Sequence, residues 1–340
     1  MTDPIALSGA PGSPYTRKML AVLRYRRIPY RFMISGSAAM AGLPQPKVPL
    51  LPTLYLPDTT GDLQAVTDST PLIRRLEREY AGRSVIPSDP AVAFLNELLE
   101  DFADEWLTKA MFHYRWSYRA DIDKAAKILP SWRGFSIPDE DLAARGKYVS
   151  ERQIGRLRYV GSNAVTGPVI EAGYRRFLEA FEAHLQVHPY LLGNRPSSCD
   201  FAVYGQLTQL AEFDPTPAAL TLQIAPRVTA WTGMLEDQSG VEPGENGWIS
   251  AANPPPTLKA LLAEIGRGYA PVMLANARAV AEKAPEVSAE VDDQPWVQQP
   301  FPYQAKCLAW LRESHAALNA ADRGTVDALM AGTELTALFG

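Results

Sequence analysis

Ser13-Pro14-Tyr15-Thr16, with Arg17 and Lys18 behind it, is the stretch whose residue types could do chemistry. It has the outline of a Cys-Pro-Tyr-Cys redox motif with hydroxyls where the thiols would stand. Ser13 is a good N-cap and Pro14 suits the first position of a helix. A helix start offers free backbone amides and a partial positive charge, which favour a thiolate over a thiol. A hydroxyl there can donate a hydrogen bond to that thiolate. With no cysteine in the stretch, the thiol would have to come from a ligand. The plain alternative is that Ser13 only caps the helix. A second string, Asp68-Ser69-Thr70, reads either as an ordinary Asx turn and cap or as an anion site at a helix start.

The elements around these residues follow from apolar periodicity. Ile5 to Ser8 is a short buried strand running into the loop GAPGSP. Met19, Val22 and Leu23 form a helical stripe that Pro29 ends, and Tyr30 to Ile34 reads as a second strand. Thr53 to Leu56 and Leu63 to Thr67 flank the turn-forming PDTTGD as a hairpin. Thr70 then caps a helix with Pro71 at its first position, and Leu72, Ile73 and Leu76 form its apolar face. The order is β-α-β-loop-β-β-α.

From Asp89 onward the pattern is helical. One long helix is predicted from Ala91 to Trp116, then a polar, poorly periodic insert from about Ser117 to Arg145. Further helices follow over VSERQIGRLRYV, IEAGYRRFLEAFEAHLQ, SSCDFAVYGQLTQLAEF and PRVTAWTGMLED. After the irregular GVEPGENGWISAANPPP come a long helix from Thr257, a loop VDDQPWVQQPFP and a terminal helical pair. Ser197 and Asp200 stand in a capping-box relation ahead of an apolar run.

This layout, an α/β thioredoxin-like domain followed by a larger all-α domain, resembles the glutathione S-transferase family. Ser13-Pro14-Tyr15 looks like the Cys-Pro-Tyr or Ser-Pro-Tyr opening of several of its classes. The resemblance implies a thioredoxin-like glutathione-binding domain at 1–83, an all-helical domain at 90–240 and an atypical helical extension at 241–340 packed on it. It implies glutathione as co-substrate, with Ser13 stabilising its thiolate and Tyr15 or Thr16 as the substitute hydroxyl. Lowering that thiol's pKa by about two units from about 8.5 makes the thiolate the majority form at pH 7. The family also carries a cis-proline before the third strand, whose preceding backbone pairs with the cysteinyl part of glutathione. Val48-Pro49 and Leu51-Pro52 are the candidates. Pro49 would leave Pro52 inside the strand, where it removes a ladder donor, so Leu51 and Pro52 are favoured. Asp68, Ser69 and Thr70 would hold the γ-glutamyl end.

The acceptor pocket would lie along the first long helix of the second domain. Met111, Tyr114, Arg115 and Tyr118 share a face there and suggest an apolar or aromatic electrophile, with Arg115 suiting an anionic group. Glutathione transfer is the expected reaction, and lyase, isomerase and dehalogenase variants begin with the same thiolate. A glutathione-dependent reductase needs a protein thiol at the helix start, which Ser13 and Thr16 cannot supply. The alternative of another class is a non-catalytic binding or interaction protein on the same fold.

Composition agrees with a soluble chain. Of 340 residues, 46% are hydrophobic and 21% charged, and the net charge is −5, so no nucleic-acid footprint is read. No basic-then-apolar leader and no run of 18 apolar residues is found, so neither export nor membrane insertion is expected. A cytoplasmic homodimer is expected, the dimer by resemblance alone. Cys199 and Cys307 read as buried thiols, and His184 with His188 as a helix-end pair, so no metal is expected.

Overall fold

The structure is a computed structural model that describes residues 3–244 and 247–340. Met1, Thr2 and two residues of the irregular stretch before the long helix, 245 and 246, lie outside the described residues.

The apolar run at the N-terminus becomes β1 (Ile5–Gly9), and the Gly/Pro/Ser loop turns it into α1 (Pro14–Tyr25). Next come β2 (Tyr30–Ile34), β3 (Thr53–Pro57), β4 (Leu63–Thr67) and α2 (Ser69–Glu79). The strands form one mixed sheet in the order β2-β1-β3-β4. β1 is parallel to β2, as the crossover through α1 requires, and β3 is antiparallel to both β1 and β4. Leu7 and Leu54 of the sheet, Met19 and Leu23 of α1, and Leu72 and Ile73 of α2 share one buried core. This is a thioredoxin-like domain, and a helical domain follows it.

The first long helical path is not one regular helix. It consists of α3 (Pro90–Phe102), a wider π-helical turn over Ala103–Leu107, and α4 (Thr108–Ser117). Tyr118 then adopts an extended conformation, and α5 (Arg119–Ser131) and α6 (Asp139–Ile154) follow. The stretch expected to be a poorly periodic insert is therefore largely helical. Its helices are polar on most sides and pack mainly on each other, which is why the apolar stripe is weak.

A short α7 (Leu157–Val160) leads to α8 (Gly167–Leu185), α9 (Ser198–Leu207), α10 (Pro215–Ile224) and α11 (Pro226–Leu235). The capping box is present: Ser197 and Asp200 each bond the other's backbone. Asp200 also accepts from the Leu191 amide at 2.8 Å. Residues of α9 are buried along its whole length because α1 packs directly across it. Gly205 permits that contact, since a Cβ there would lie 2.5 Å from the Pro14 carbonyl oxygen.

The C-terminal region contains α12 (Pro256–Glu282), β5 (Val287–Val291), β6 (Gln294–Gln298), α13 (Pro302–Ala317) and α14 (Ala320–Met330). The string read as a loop is in fact half of a β-hairpin. Asp292 and Asp293 form its two-residue turn with φ of 54° and 56°, the double left-handed geometry of a type I′ turn. Trp296 of β6 is fully buried and packs on Trp106 with ring centroids 5.3 Å apart. Among the described residues no helix is long and apolar enough to cross a membrane. Cys199 and Cys307 are free and buried. His184 spends its ring nitrogens on Thr257 and the Tyr190 carbonyl.

Candidate functional site

A cleft of about 1590 Å³ opens where the sheet domain meets the helical one. Its floor includes the loop before α1. Ser13 is the N-cap of α1, and its Oγ accepts from the Thr16 amide at 3.3 Å. A hydroxyl that accepts through a lone pair keeps its own proton to donate, so capping leaves Ser13 free to bond a ligand. The loop is held from the helical domain. Arg115 Nη1 donates to the Gly12 carbonyl at 3.0 Å, and Gln209 Nε2 to the Pro11 carbonyl at 3.3 Å. Arg115 is fixed by a buried two-pronged pair with Asp214 at 2.9 and 2.8 Å. A Cβ on Gly12 would lie 2.5 Å from Leu129 and 2.8 Å from Trp132, so α5 closes directly over this loop.

The Leu51–Pro52 peptide is cis, and the strand registers of β3 begin one residue later, at Thr53. Leu51 lines the cleft ahead of that pairing. Across from it, α2 begins at Ser69, two residues before the expected start at Pro71. Asp68 rather than Thr70 is its N-cap, with φ of 82°. The Asp68 carboxylate lines the cleft and accepts from the Tyr303 hydroxyl of α13 at 2.7 Å.

Of the residues singled out from the sequence, the cleft gathers Ser13, Tyr15, Leu51, Asp68, Ser69, Thr70, Met111 and Arg115. Several have other commitments. The Tyr15 hydroxyl donates to the Asp104 carbonyl at 2.8 Å, and burial pushes its pKa well up. Thr16 is fully buried and accepts from the Ala10 amide at 3.3 Å, away from the cleft. Neither can serve as the substitute hydroxyl in this arrangement. Thr70 donates to Glu100 at 2.9 Å. Arg115 is consumed by Asp214 and the loop, which corrects its reading as a free anion reader. Tyr114 and Tyr118 stack on each other, centroids 5.5 Å apart, and Tyr118 bonds Glu171. They do not line the cleft: Tyr114 packs on Tyr174, centroids 5.8 Å apart, and the helix ends at Ser117, so Tyr118 leaves its expected face.

The sequence reading missed a set of buried charges on the same path. Lys18, almost fully buried, lies 2.6 Å from both Glu100 and Asp104. The paired carboxylates raise its pKa against the opposing cost of burial. Asp101, Asp104, Glu105 and Lys109 all reach the cleft around the π-helical turn. Burial pushes Glu105 up to about 8 and Asp101 up to about 7, with the neighbouring carboxylates adding to the rise. Burial pulls Lys109 down to about 8, opposed by Glu105. Lys109 donates to Gln298 at 3.1 Å and the Val160 carbonyl at 3.2 Å. A π-helical turn carrying charged residues into a cleft is a recurring functional-site feature. The signal available in sequence was the run Asp101, Asp104, Glu105, Lys109 inside an otherwise apolar helix. Cys307 also lines the cleft, but burial and the nearby acids hold its thiol firmly protonated, so it is a poor nucleophile.

Residues 7–84 match the family model "Glutathione S-transferase, N-terminal domain", and residues 171–238 match "Glutathione S-transferase, C-terminal domain". No curated protein matches the chain. Solved structures are similar at low identity. A glutathione S-transferase from Rhodospirillum rubrum F11 is 18% identical, with 76% of this chain and 99% of that one covered at a TM-score of 0.43. One from Methylobacterium radiotolerans JCM 2831, in complex with glutathione sulfonate, is 18% identical over 69% and 91% of the two chains, TM-score 0.41. A family member from Pseudomonas fluorescens Pf-5 with two glutathiones bound is 13% identical over 68% and 87%, TM-score 0.42. The assignment to a family rests on the two domain matches.

Proposed function

We propose that this chain, a glutathione S-transferase family member through its two matched domains, activates glutathione for attack on an electrophile. The observation that carries the reading is that Ser13, Leu51, Asp68 and Ser69 line one cleft at the N-terminus of α1. The helix amides and the Ser13 hydroxyl proton would stabilise the glutathione thiolate. The Leu51 backbone would pair with the cysteinyl unit. Ser69 and the first turn of α2 would take the γ-glutamyl carboxylate, and Asp68 would face its amino group. The thiol proton leaves to solvent. The thiolate then forms a carbon–sulfur bond while a leaving group departs with its bonding pair, or while the π pair of an activated double bond moves onto its activating group and the resulting anion takes a proton from solvent.

The division at 1–83, 90–240 and 241–340, a homodimer and a cytoplasmic location belong to the same proposal. A second reading has one observation in its favour. Tyr303 of the C-terminal region already bonds Asp68, as it would in a chain that keeps the fold for binding alone. Retention on immobilised glutathione, with turnover of a panel of generic electrophiles, decides between them. Retention with turnover supports transfer, and retention without turnover of any electrophile supports the binding reading. No retention and no thermal shift with glutathione would sink both.

A further inference from the structure

The cleft has two chemically opposite walls. One carries the carboxyl groups of Asp68, Glu97, Asp101, Asp104 and Glu105, with Lys109 and with Arg74, which pairs with Glu97 at 2.7 Å. The other is built by residues 131–160, and it carries arginine. All five arginines of that segment, Arg133, Arg145, Arg152, Arg156 and Arg158, line the cleft. Of the segment's four acids, only Glu151 does, while Asp139, Glu140 and Asp141 sit in the first turn of α6. Glu151 faces Lys147 at 3.9 Å. Among the described residues, none of the five guanidinium groups pairs with a carboxylate. Arg152 reaches only Gln153 at 3.4 Å, and Arg158 bonds the Tyr159 hydroxyl at 3.1 Å while lying over its ring.

The placement within α6 is regular. Arg145, Tyr148, Val149 and Arg152 follow one face of α6 at i, i+3, i+4 and i+7, and Arg156 from the turn after α6 and Arg158 and Tyr159 from α7 also line the cleft. Tyr148 is 66% exposed on this face, an uncovered ring beside uncovered guanidiniums. All five arginines are exposed, so their guanidiniums are open to a ligand from the cleft. Guanidinium forks match carboxylate, sulfonate and phosphate oxygens two at a time. Between the two walls, Met111, Phe112, Trp116, Leu129 and Trp132 form an apolar floor.

We infer that the arginine wall formed by α6 and α7 selects an acceptor with an apolar, ring-containing body and at least one anionic group. The inference deepens the transferase reading of the same cleft and rests on it for its catalytic meaning. It moves the anion contact from Arg115, which is internally paired, to Arg145, Arg152, Arg156 and Arg158.

The test uses the full chain and a matched pair of fluorescent probes, 1-pyrenebutyrate and 1-pyrenebutanol, which share a ring system and differ in charge. Both are titrated with saturating S-methylglutathione present. The expected result is that pyrenebutyrate binds at least about tenfold more tightly. That preference should shrink as salt rises from about 0.05 to about 0.5 M, over which the screening length falls roughly threefold. A paired Arg152→Ala, Arg156→Ala variant should lose about tenfold in pyrenebutyrate affinity and keep its affinity for pyrenebutanol. Lys147→Ala, on α6 but off the cleft, should change neither. Equal affinity for the two probes, or an unaltered preference in the arginine variant, would overturn the inference. Displacement of pyrenebutyrate by S-methylglutathione would overturn it too, because the arginines would then be reading glutathione's own carboxylates. If the chain fails to retain on glutathione while the charge preference persists, the transferase reading falls and the anion site stands.

Discussion

Replacing Glu105 with glutamine should stabilise the protein, and by an amount that grows with pH. Glu105 is a nearly buried carboxyl on the π-helical turn, and no cation lies within ion-pairing distance of it among the described residues. Burial and the neighbouring acids raise its folded pKa to about 8 from an ordinary 4.5. A folded pKa above the unfolded one means the native state holds the proton more tightly. The contribution to stability is therefore full below about pH 4.5 and is lost as pH rises toward 8. Over that window the native chain carries up to one extra proton, so stability falls by at most about 1.4 kcal/mol per pH unit. Asp101 and Asp104 titrate in the same site and share the loss among overlapping steps, which lowers the slope assigned to Glu105 alone. Glutamine keeps the shape and cannot ionise. Urea unfolding followed by tryptophan fluorescence should show Glu105→Gln gaining about 2 kcal/mol on the wild type between about pH 5 and pH 7. The gain should level off above about pH 8. Lys109 has the opposite sign, since its lowered folded pKa makes stability recover as pH rises above about 8. A difference between variant and wild type that stays flat with pH would refute the reasoning, as would a variant uniformly less stable.

Two further outcomes follow from the loop that carries Ser13. Arg115→Ala leaves Asp214 buried without its partner and frees the Gly12 carbonyl. It should cost about 3–5 kcal/mol in urea unfolding and weaken retention on glutathione; wild-type stability in the variant would show that the pair does not hold the domains' junction. Ser13→Ala removes the cap to the Thr16 amide and should cost about 1 kcal/mol, whereas Ser13→Gly should cost only a few tenths. If the hydroxyl also meets the thiolate, both variants should raise the pKa of bound glutathione equally, read by the ultraviolet absorbance of the thiolate. An unchanged thiol pKa in both would leave Ser13 a cap only.

Much of the fold could be read from the chain because its local signals agree with its tertiary structure. Ser13-Pro14 starts a helix on cap chemistry, and Pro52 stands ahead of β3 because a ladder position could not have used it. The failures have local causes too. The hairpin of β5 and β6 carries a weak sequence signal, because Asp292-Asp293 is a less familiar turn pair than Asn-Gly and Pro295 sits inside the second strand. The start of α2 at Ser69 is not legible because Asp68 adopts a positive φ, which residue type alone does not announce.

The site was less legible than the fold, and the reason is physical. A helical wheel assumes a constant turn, and it assumes that charged residues face water. Both assumptions fail between Asp101 and Lys109, where the π-helical turn resets the face and tertiary contacts bury acids and lysine together. Glu105 and Lys109 consequently line a pocket that a constant helical turn does not give them, while Tyr114 and Tyr118 fall outside it for another cause, the packing of Tyr114 on Tyr174 and the end of α4 at Ser117. The arginine wall escaped for the reverse reason. Each of its residues is individually an ordinary exposed helix residue, and a net charge of −5 gives no hint that five guanidiniums converge on one cleft. Only the fold of α5 over Gly12, which brings α6 and α7 round to the cleft, turns that scatter into a surface. Substrate selection in this chain is thus proposed to reside in a segment neither family model matches, between residues 84 and 171, and thiol handling is proposed to lie within the first matched domain.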